Sequence, residues 1–435
     1  WNRLMSNYKI FMIGWEYPPR ITGGLAVACE GIASSLGRRG NSVRFLVPRM
    51  HGDEPVHENV ELVDAGTRTE LYTTDELEVL RSMALHDFTT RQVFSPYASS
   101  EYSGQSLVDI TEKLAVMQKQ SREIPLLRGG YGDWMYQEIE RYARAAYFIA
   151  QKTEMDVIHA HDWMTFPAGL ACMNATGAPL VVHVHATEFD RSGESVNQYV
   201  YDLERYTFHH ATAIMTVSNY TKNVLVQRYG VSPEKIFPIH NAVEFELPGA
   251  VLERKKALKD HIVLFLGRIT FQKGPDYFVR AAQLVLQQIQ NVRFVMAGTG
   301  DMYSRMIEYA ADLGIGKFFH YTGFMNRAQV KRLYSMSDLY VMPSVSEPFG
   351  ISPLEAMMHG VPVIVSRQSG VSEVIQNCIK VDFWNVEELA EQILRVLHDT
   401  ELKQNMQQEG HREVQAISWD APAEKMEQVY GRLVK

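Results

Sequence analysis

This 435-residue chain has too little cysteine for a disulfide framework. Its three cysteines, Cys29, Cys172 and Cys378, are scattered with no pairing pattern, which points to a reducing compartment, with the cytoplasm as the default. No apolar run approaches the roughly 18 residues of a membrane-spanning helix. The first residues, WNRLMSNYK, lack the apolar core of a signal peptide. Low-complexity tracts and repeats of solenoid length are also missing. Positive charge is not in surplus: the net charge is −8, with 22 Lys/Arg against 30 Asp/Glu in residues 1–250 and 21 against 21 in the remainder. A nucleic-acid binder carries a basic excess, and so does a protein that docks on anionic lipid; the charge balance disfavours both.

What is present is a repeated opening. YKIFMIG reads as a strand, WEYPPRITGG as a loop, LAVACEGIASSLGRRG as a helix closed by Gly40, and SVRFLVP as a second strand. From residue 261 the pattern recurs: HIVLFLG, the loop RITFQKG, a helix starting at Pro275, then VRFVMAG. Val-, Ile-, Leu- and Phe-rich strands alternating with helices indicate parallel sheets covered on both faces. The fold class is therefore α/β, with two doubly wound domains that each bind ligands at the carboxyl ends of their strands. If the domains face each other across a cleft, that cleft is the expected site. The domains are placed at residues 1–250 and 251–417, with a linker near 244–256. Residues 68–130 fit neither strand pattern and read as a helical and loop insertion containing a flexible RGGYGDW. The segment 418–435 is a last helix, expected to pack back on the first domain.

In the second half, GRITFQKG sets Arg268 and Lys273 beyond a strand end between Gly267 and Gly274. A planar guanidinium and an ammonium there suit a diphosphate, although a solvated basic loop has the same composition. AGTGD, with Gly298, adds a Gly-rich turn that is weak alone. SEPFGISPLEA places Glu347 and Glu355 on either side of Gly350 and of a predicted helix start, with Ser352 as N-cap and Pro353 at the first helical position. Ser352-x-x-Glu355 is also a capping box, which would account for Glu355 on structural grounds. Gly350 beside an anion-attracting helix end suggests close approach of a phosphate. The two carboxylates would then flank it, one accepting from sugar hydroxyls and the other from ribose hydroxyls.

In the first half, DVIHAHDW and VVHVHATEF each end an apolar strand with His-x-His. Alternate strand residues share a face, so four histidines and Asp162 raise a metallohydrolase as a rival of a different class. A buried, hydrogen-bonded role for most of these histidines is the plainer account. No Asp-x-Asp string is present to hold a metal-bound diphosphate.

GRITFQKG, PSVSEPFGISPLEAMMHGVPVI and GVSEVI, in that order, resemble the donor-binding half of retaining, family 4-like glycosyltransferases of the two-Rossmann GT-B type. GGLA at 23–26, HAHDW, HVHATEF and VSNYTK…IHNAVE are similar to the same family's first half. The nearest likeness is to the glycogen and starch synthase branch. The resemblance implies two Rossmann-like domains facing across a cleft. It also implies transfer of a hexose, glucose first, from UDP- or ADP-glucose to an α-glucan or other carbohydrate acceptor, with no metal and no cofactor beyond the nucleotide-sugar substrate. It assigns catalysis to His185, Arg268, Lys273 and Glu347. Donor binding falls to Gly23, Gly24, Asp162, Asn241, Gly298, Phe324, Phe349, Gly350, Ile351, Ser352 and Glu355, with Phe324 near the base. The starch-synthase pattern has a Lys just before the Thr of its Thr-Gly-Gly, where this chain has Ile21, with Arg20 one place earlier. That departure argues against the bacterial and plant ADP-glucose enzymes specifically. Lipid, small-sugar and sugar-phosphate acceptors remain alternatives within the fold, and a silent sugar-nucleotide binder remains an alternative to catalysis.

Overall fold

A computed structural model describes residues 7–19, 24–89, 126–132, 134–244 and 259–434. Gly23, the linker 245–258 and most of the predicted insertion lie outside the described residues. Within the insertion a helix spans Thr74–Thr89. The first residues of RGGYGDW are hydrogen-bonded to the rest of the first unit. The Glu138 carboxylate accepts the Arg128 and Gly129 amides at 2.9 and 3.0 Å, and the Trp15 indole donates to the Gly130 carbonyl.

Two sheets organise the chain. The first is built from β1 (Lys9–Ile13), β2 (Ser42–Val47), β3 (Val60–Asp64), β4 (Val157–His161), β5 (Leu180–Val184), β6 (Ala213–Thr216) and β7 (Ile236–Pro238), in the order β3-β2-β1-β4-β5-β6-β7. The second holds β8 (His261–Leu266), β9 (Val292–Ala297), β10 (Phe319–Gly323), β11 (Leu339–Met342), β12 (Val363–Ser366) and β13 (Ile379–Val381), in the order β10-β9-β8-β11-β12-β13. β1 pairs in parallel with both β2 and β4, and β8 with both β9 and β11. Each sheet therefore reverses its strand order beside its first strand, the arrangement of a Rossmann-like unit.

The apolar strand runs follow from burial on two faces. Along β8, Val263 and Phe265 enter one core cluster with Phe278, Phe294 and Met296. Ile262 and Leu264 enter another with Tyr340, Leu354 and Val363. Alternate side chains point to opposite faces, so a strand buried on both sides must be apolar throughout. Burying each large side chain contributes on the order of 2 kcal/mol.

The chain divides into two compact units: Trp1–Val184, Asn197–Ile214 and Glu427–Lys435 form the first, and His185–Val196 and Met215–Met426 the second. One boundary of this division falls after Ile214. The segment after it is held within the second unit: Ser218 Oγ donates to the Pro348 carbonyl at 2.6 Å, and Asn219, Tyr220 and His240 all donate to Glu373. In the first unit, Glu427 on the last helix (Asp420–Leu433) accepts from Arg39 and Asn41, both at 2.7 Å.

Candidate functional site

The turn after β8 and the turn after β11 flank the point where the second sheet reverses its order. The first carries Arg268, Thr270, Gln272 and Lys273; the second carries Ser344, Ser346, Glu347 and Gly350. Lys273 and Glu347 form an ion pair, and Ser344 Oγ donates to the same Glu347 oxygen at 3.1 Å. Glu347 is only 5% exposed, and its position is set by the backbone: its amide donates to Gln368 and its carbonyl accepts from Gly370. Arg268 is exposed and donates to Gln272 Oε1 at 3.2 Å. Gln272 in turn accepts the Val345 amide through its carbonyl, so the two turns are stitched together. The buried Thr270 hydroxyl has no hydrogen-bond partner among the described residues.

Glycines let these turns pack closely. A Cβ on Gly298 would lie 1.9 Å from the Gly267 carbonyl oxygen, and Gly298 has φ +132°. Gly350, at φ +95°, would press a Cβ against Glu347 Cγ and Met342 at about 3.1 Å. Both positions need glycine for shape and for space.

The predicted capping box does not form. Ile351 already has helical torsions, so the helix Ser352–Met358 starts one residue early and lacks a side-chain cap. With seven residues this helix is too short to serve alone as an anion site. Glu355, freed from capping, is bonded by Tyr334 Oη at 3.1 Å; burial raises its pKa against that bond.

His185 opens the second unit's first segment, directly after β5. Burial pushes its imidazole down to about 3, although the ring remains half-buried by accessible surface; it is neutral at physiological pH. Two residues on, Thr187 and Asp190 form a capping box on the short helix Glu188–Ser192. Asp190 also accepts Ser346 Oγ, and Tyr220 Oη lies 2.9 Å from that same Ser346 oxygen. Ser346 donates to the carboxylate, so Tyr220 donates to Ser346. The His185 segment and the Glu347 turn are thereby joined by side chains that the sequence reading did not select. Burial raises the Asp190 pKa despite these bonds.

Asn241 is buried, and its Oδ1 has no hydrogen-bond partner among the described residues. Phe324 is 72% exposed at the end of β10. Phe349 lies in the core and its carbonyl accepts Val371, so its side chain packs rather than lining a surface. Ile351 is partly buried against the same core.

In the first unit, Gly24 is the exposed first residue of the helix Gly24–Arg38, and Asp162 follows β4. Asp162 has φ +60° and ψ 167°, a region that is essentially glycine's, while only 7% exposed. Its amide donates to His183 and its carbonyl accepts from Thr165, so the neighbours hold the strain. The adjacent His159, His161 and His183 are buried, with ring nitrogens within 4.8 Å of one another. His159 spends both nitrogens in this network, Nδ1 at 2.7 Å from Tyr430 Oη and Nε2 at 3.2 Å from His183 Nδ1. Its ring lies 26° from the His161 plane and 11° from the His183 plane. Near-parallel rings aim their lone pairs in parallel planes rather than at one point. His159 is therefore held in a packed polar network with Tyr430 and His183.

Paired Rossmann-like units, with cations and carboxylates gathered at the switch point of the second, define a nucleotide-handling α/β enzyme. Comparison with known proteins makes the class specific. The model of "Glycosyl transferases group 1" matches residues 252–413, and that of "Glycosyltransferase Family 4" matches residues 118–247. An uncharacterised glycosyltransferase of Methanocaldococcus jannaschii is 29% identical over 97% of both chains. A glycogen synthase of Mycobacterium tuberculosis is 23% identical over 97% of this chain and 94% of its own. A solved sucrose-phosphate synthase of Thermosynechococcus elongatus shares the fold with a TM-score of 0.72, at 18% identity over 98% of this chain and 99% of that one. The chain belongs to the GT-B glycosyltransferases.

Proposed function

We propose that the protein moves a hexose, glucose by preference, from a nucleoside diphosphate sugar to a hydroxyl of an α-glucan, with retention at the anomeric carbon and without a metal. The observation that carries this reading is the Lys273–Glu347 pair at the β8/β11 reversal, with Arg268 exposed beside it. As the bond from the anomeric carbon to the diphosphate breaks, its electron pair goes to the phosphate oxygen. Arg268 and Lys273 stabilise that charge. The acceptor oxygen forms the new bond on the same face, and its proton passes to the departing phosphate. Glu347 is already engaged by Lys273 and Ser344, which suits an acceptor of sugar hydroxyl hydrogen bonds better than a nucleophile. The unpaired Thr270 Oγ1 and Asn241 Oδ1 are the kind of buried polar atoms that a ligand satisfies. The glycogen synthase relative supports the glucan acceptor.

The test is release of nucleotide from UDP-glucose and ADP-glucose, with and without glycogen. Glycogen-dependent release is expected with at least one donor. Lys273→Ala and Glu347→Ala should each lower it by about 10²-fold or more, the range for losing one preorganised charge-stabilising group, while the folded state persists by circular dichroism. Full activity in either variant would sink the assignment.

A further inference from the structure

Ser346, one residue before Glu347, is tied to three separate segments of the second unit. Its amide donates to the Gln272 carbonyl at 3.4 Å, beside the Val345 amide at 2.9 Å, which holds it against the turn that carries Arg268 and Lys273. Its hydroxyl donates to Asp190 Oδ1 on the helix Glu188–Ser192. The same oxygen accepts from Tyr220 Oη at 2.9 Å, on the helix Asn219–Tyr229. A hydroxyl has one hydrogen to donate and lone pairs to accept, so Tyr220, Ser346 and Asp190 form one directed chain.

Both ends of that chain are anchored. Asp190 is 2% exposed, and its second oxygen accepts the Thr187 amide at 2.7 Å and the Thr187 hydroxyl at 2.8 Å, two residues past His185. A buried carboxylate is costly unless hydrogen-bonded; the bonds made here fix residue 187 with one oxygen and residue 346 with the other. Tyr220 is held through its amide, which donates to Glu373 at 2.7 Å. On the far side of Glu347, the Pro348 carbonyl accepts Ser218 Oγ at 2.6 Å. The residues before and after Glu347 are thus both pinned from the segment 218–220.

We propose that Ser346 is a positioning residue for sugar transfer: through Asp190 and Tyr220, its hydroxyl sets the spacing between Glu347 and the His185 segment, and nucleotide binding does not depend on it. This rests on the reading that the second unit binds a nucleoside diphosphate sugar, with Glu347 on the sugar. Ser346 Oγ is engaged by protein groups on both sides and touches no substrate atom. Its tie to Gln272 runs through the backbone and survives loss of the side chain, so the turn that holds the diphosphate keeps its place. The reacting groups are more sensitive, since a misplacement of about 1 Å can cost about 10²-fold in rate.

The experiment compares wild type with Ser346→Ala, Tyr220→Phe and the double variant. Binding of UDP and ADP is read by calorimetry. Nucleotide release from UDP-glucose and ADP-glucose, with glycogen, is then expressed per binding site so found, which leaves misfolded protein out of the rate. Ser346→Ala should keep nucleotide affinity and lower the rate per site by about tenfold or more, with the loss in kcat rather than in KM. Tyr220→Phe should lower the rate in the wild-type background and add nothing in the Ser346→Ala background, because both act through the same oxygen. An unchanged rate in Ser346→Ala, a matching loss of nucleotide affinity, or additive losses in the double variant would overturn the proposal and leave the donor-site reading standing. A wild type that binds neither nucleotide, or releases none from either donor, would overturn that reading and this proposal with it. Should Ser346→Ala fold poorly, Tyr220→Phe removes a single oxygen and decides alone: an unaltered rate per site there would count as fully against the proposal.

Discussion

Lys273 and Glu347 are 74 residues apart in the chain, and each alone is an ordinary surface-type residue. Their meaning comes from being brought together where burial makes charge costly unless paired. His185 illustrates the opposite solution, a titratable group kept neutral. Its unfolded imidazole takes a proton below about 6.5, and the folded one only below about 3. Between those values the unfolded chain holds the extra proton. Stability from this site is therefore complete above pH 6.5 and falls as pH drops toward 3. His185→Gln should flatten that part of the stability-versus-pH curve, read by denaturant unfolding between pH 7 and 4. A histidine NMR titration that placed the His185 midpoint near 6.5 would contradict the burial argument. At this scale the sequence was informative where chemistry sat beside glycine or proline, as at Arg268, Lys273, Glu347 and Gly350. It was silent on Tyr334, Asp190 and Tyr220, whose bonds to Glu355 and Ser346 join residues 21 to 156 apart. It was also silent on the strained torsion of Asp162, because no residue type encodes it.

The strands and their helices were legible because parallel strands buried on both faces cannot hide: β1, β2, β8 and β9 match apolar runs of the right length. Boundaries were less so. The helix from Pro275 ends at Leu286, short of the amide-rich QQIQ that continues the pattern. Ser352 was misplaced by one residue because capping depends on the torsions of Ile351, which composition does not set. What positions elements against each other is often a single carboxylate. Glu373, on the 3₁₀ turn Gly370–Glu373, accepts the amides of Asn219 and Tyr220, the Asn219 side chain and His240 Nε2, all within 2.9 Å. Burial alone would raise its pKa, but the bonds from His240, Asn219 and Tyr220 outweigh that and hold it at about 2. Its contribution is present above the unfolded carboxyl range near 4.5 and is lost as pH falls toward 2. Glu373→Gln should lower the thermal midpoint at pH 7, with the gap to wild type closing as pH falls below 4. A gap that stayed constant down to pH 2.5 would mean that the carboxylate's charge is not what holds these segments.

Across the whole chain, the net charge of −8 has to coexist with a doubly anionic leaving group. Long-range attraction cannot gather the donor, and the neutral second half adds little field of its own, so the burden falls on local cations. Two routes could supply them: a divalent ion held by carboxylates, or fixed side chains. In the described second unit, Glu347 is committed to Lys273, Asp190 to Thr187 and Ser346, and Glu373 to its four donors. Arg268 and Lys273 stand on one turn and need no ion to place them. On the proposed function, donor-dependent nucleotide release should continue at essentially full rate in excess chelator, and added Mg²⁺ or Mn²⁺ should not rescue Lys273→Ala. Ionic strength should matter more, because an exposed Arg268 attracts phosphate through a field that salt screens over about 10 Å at 0.1 M. The donor KM should rise with salt while kcat holds. A chelator-dependent loss of more than tenfold, restored by a divalent ion, would show that the positive charge at the leaving group comes from a metal and that the two side chains play a lesser part.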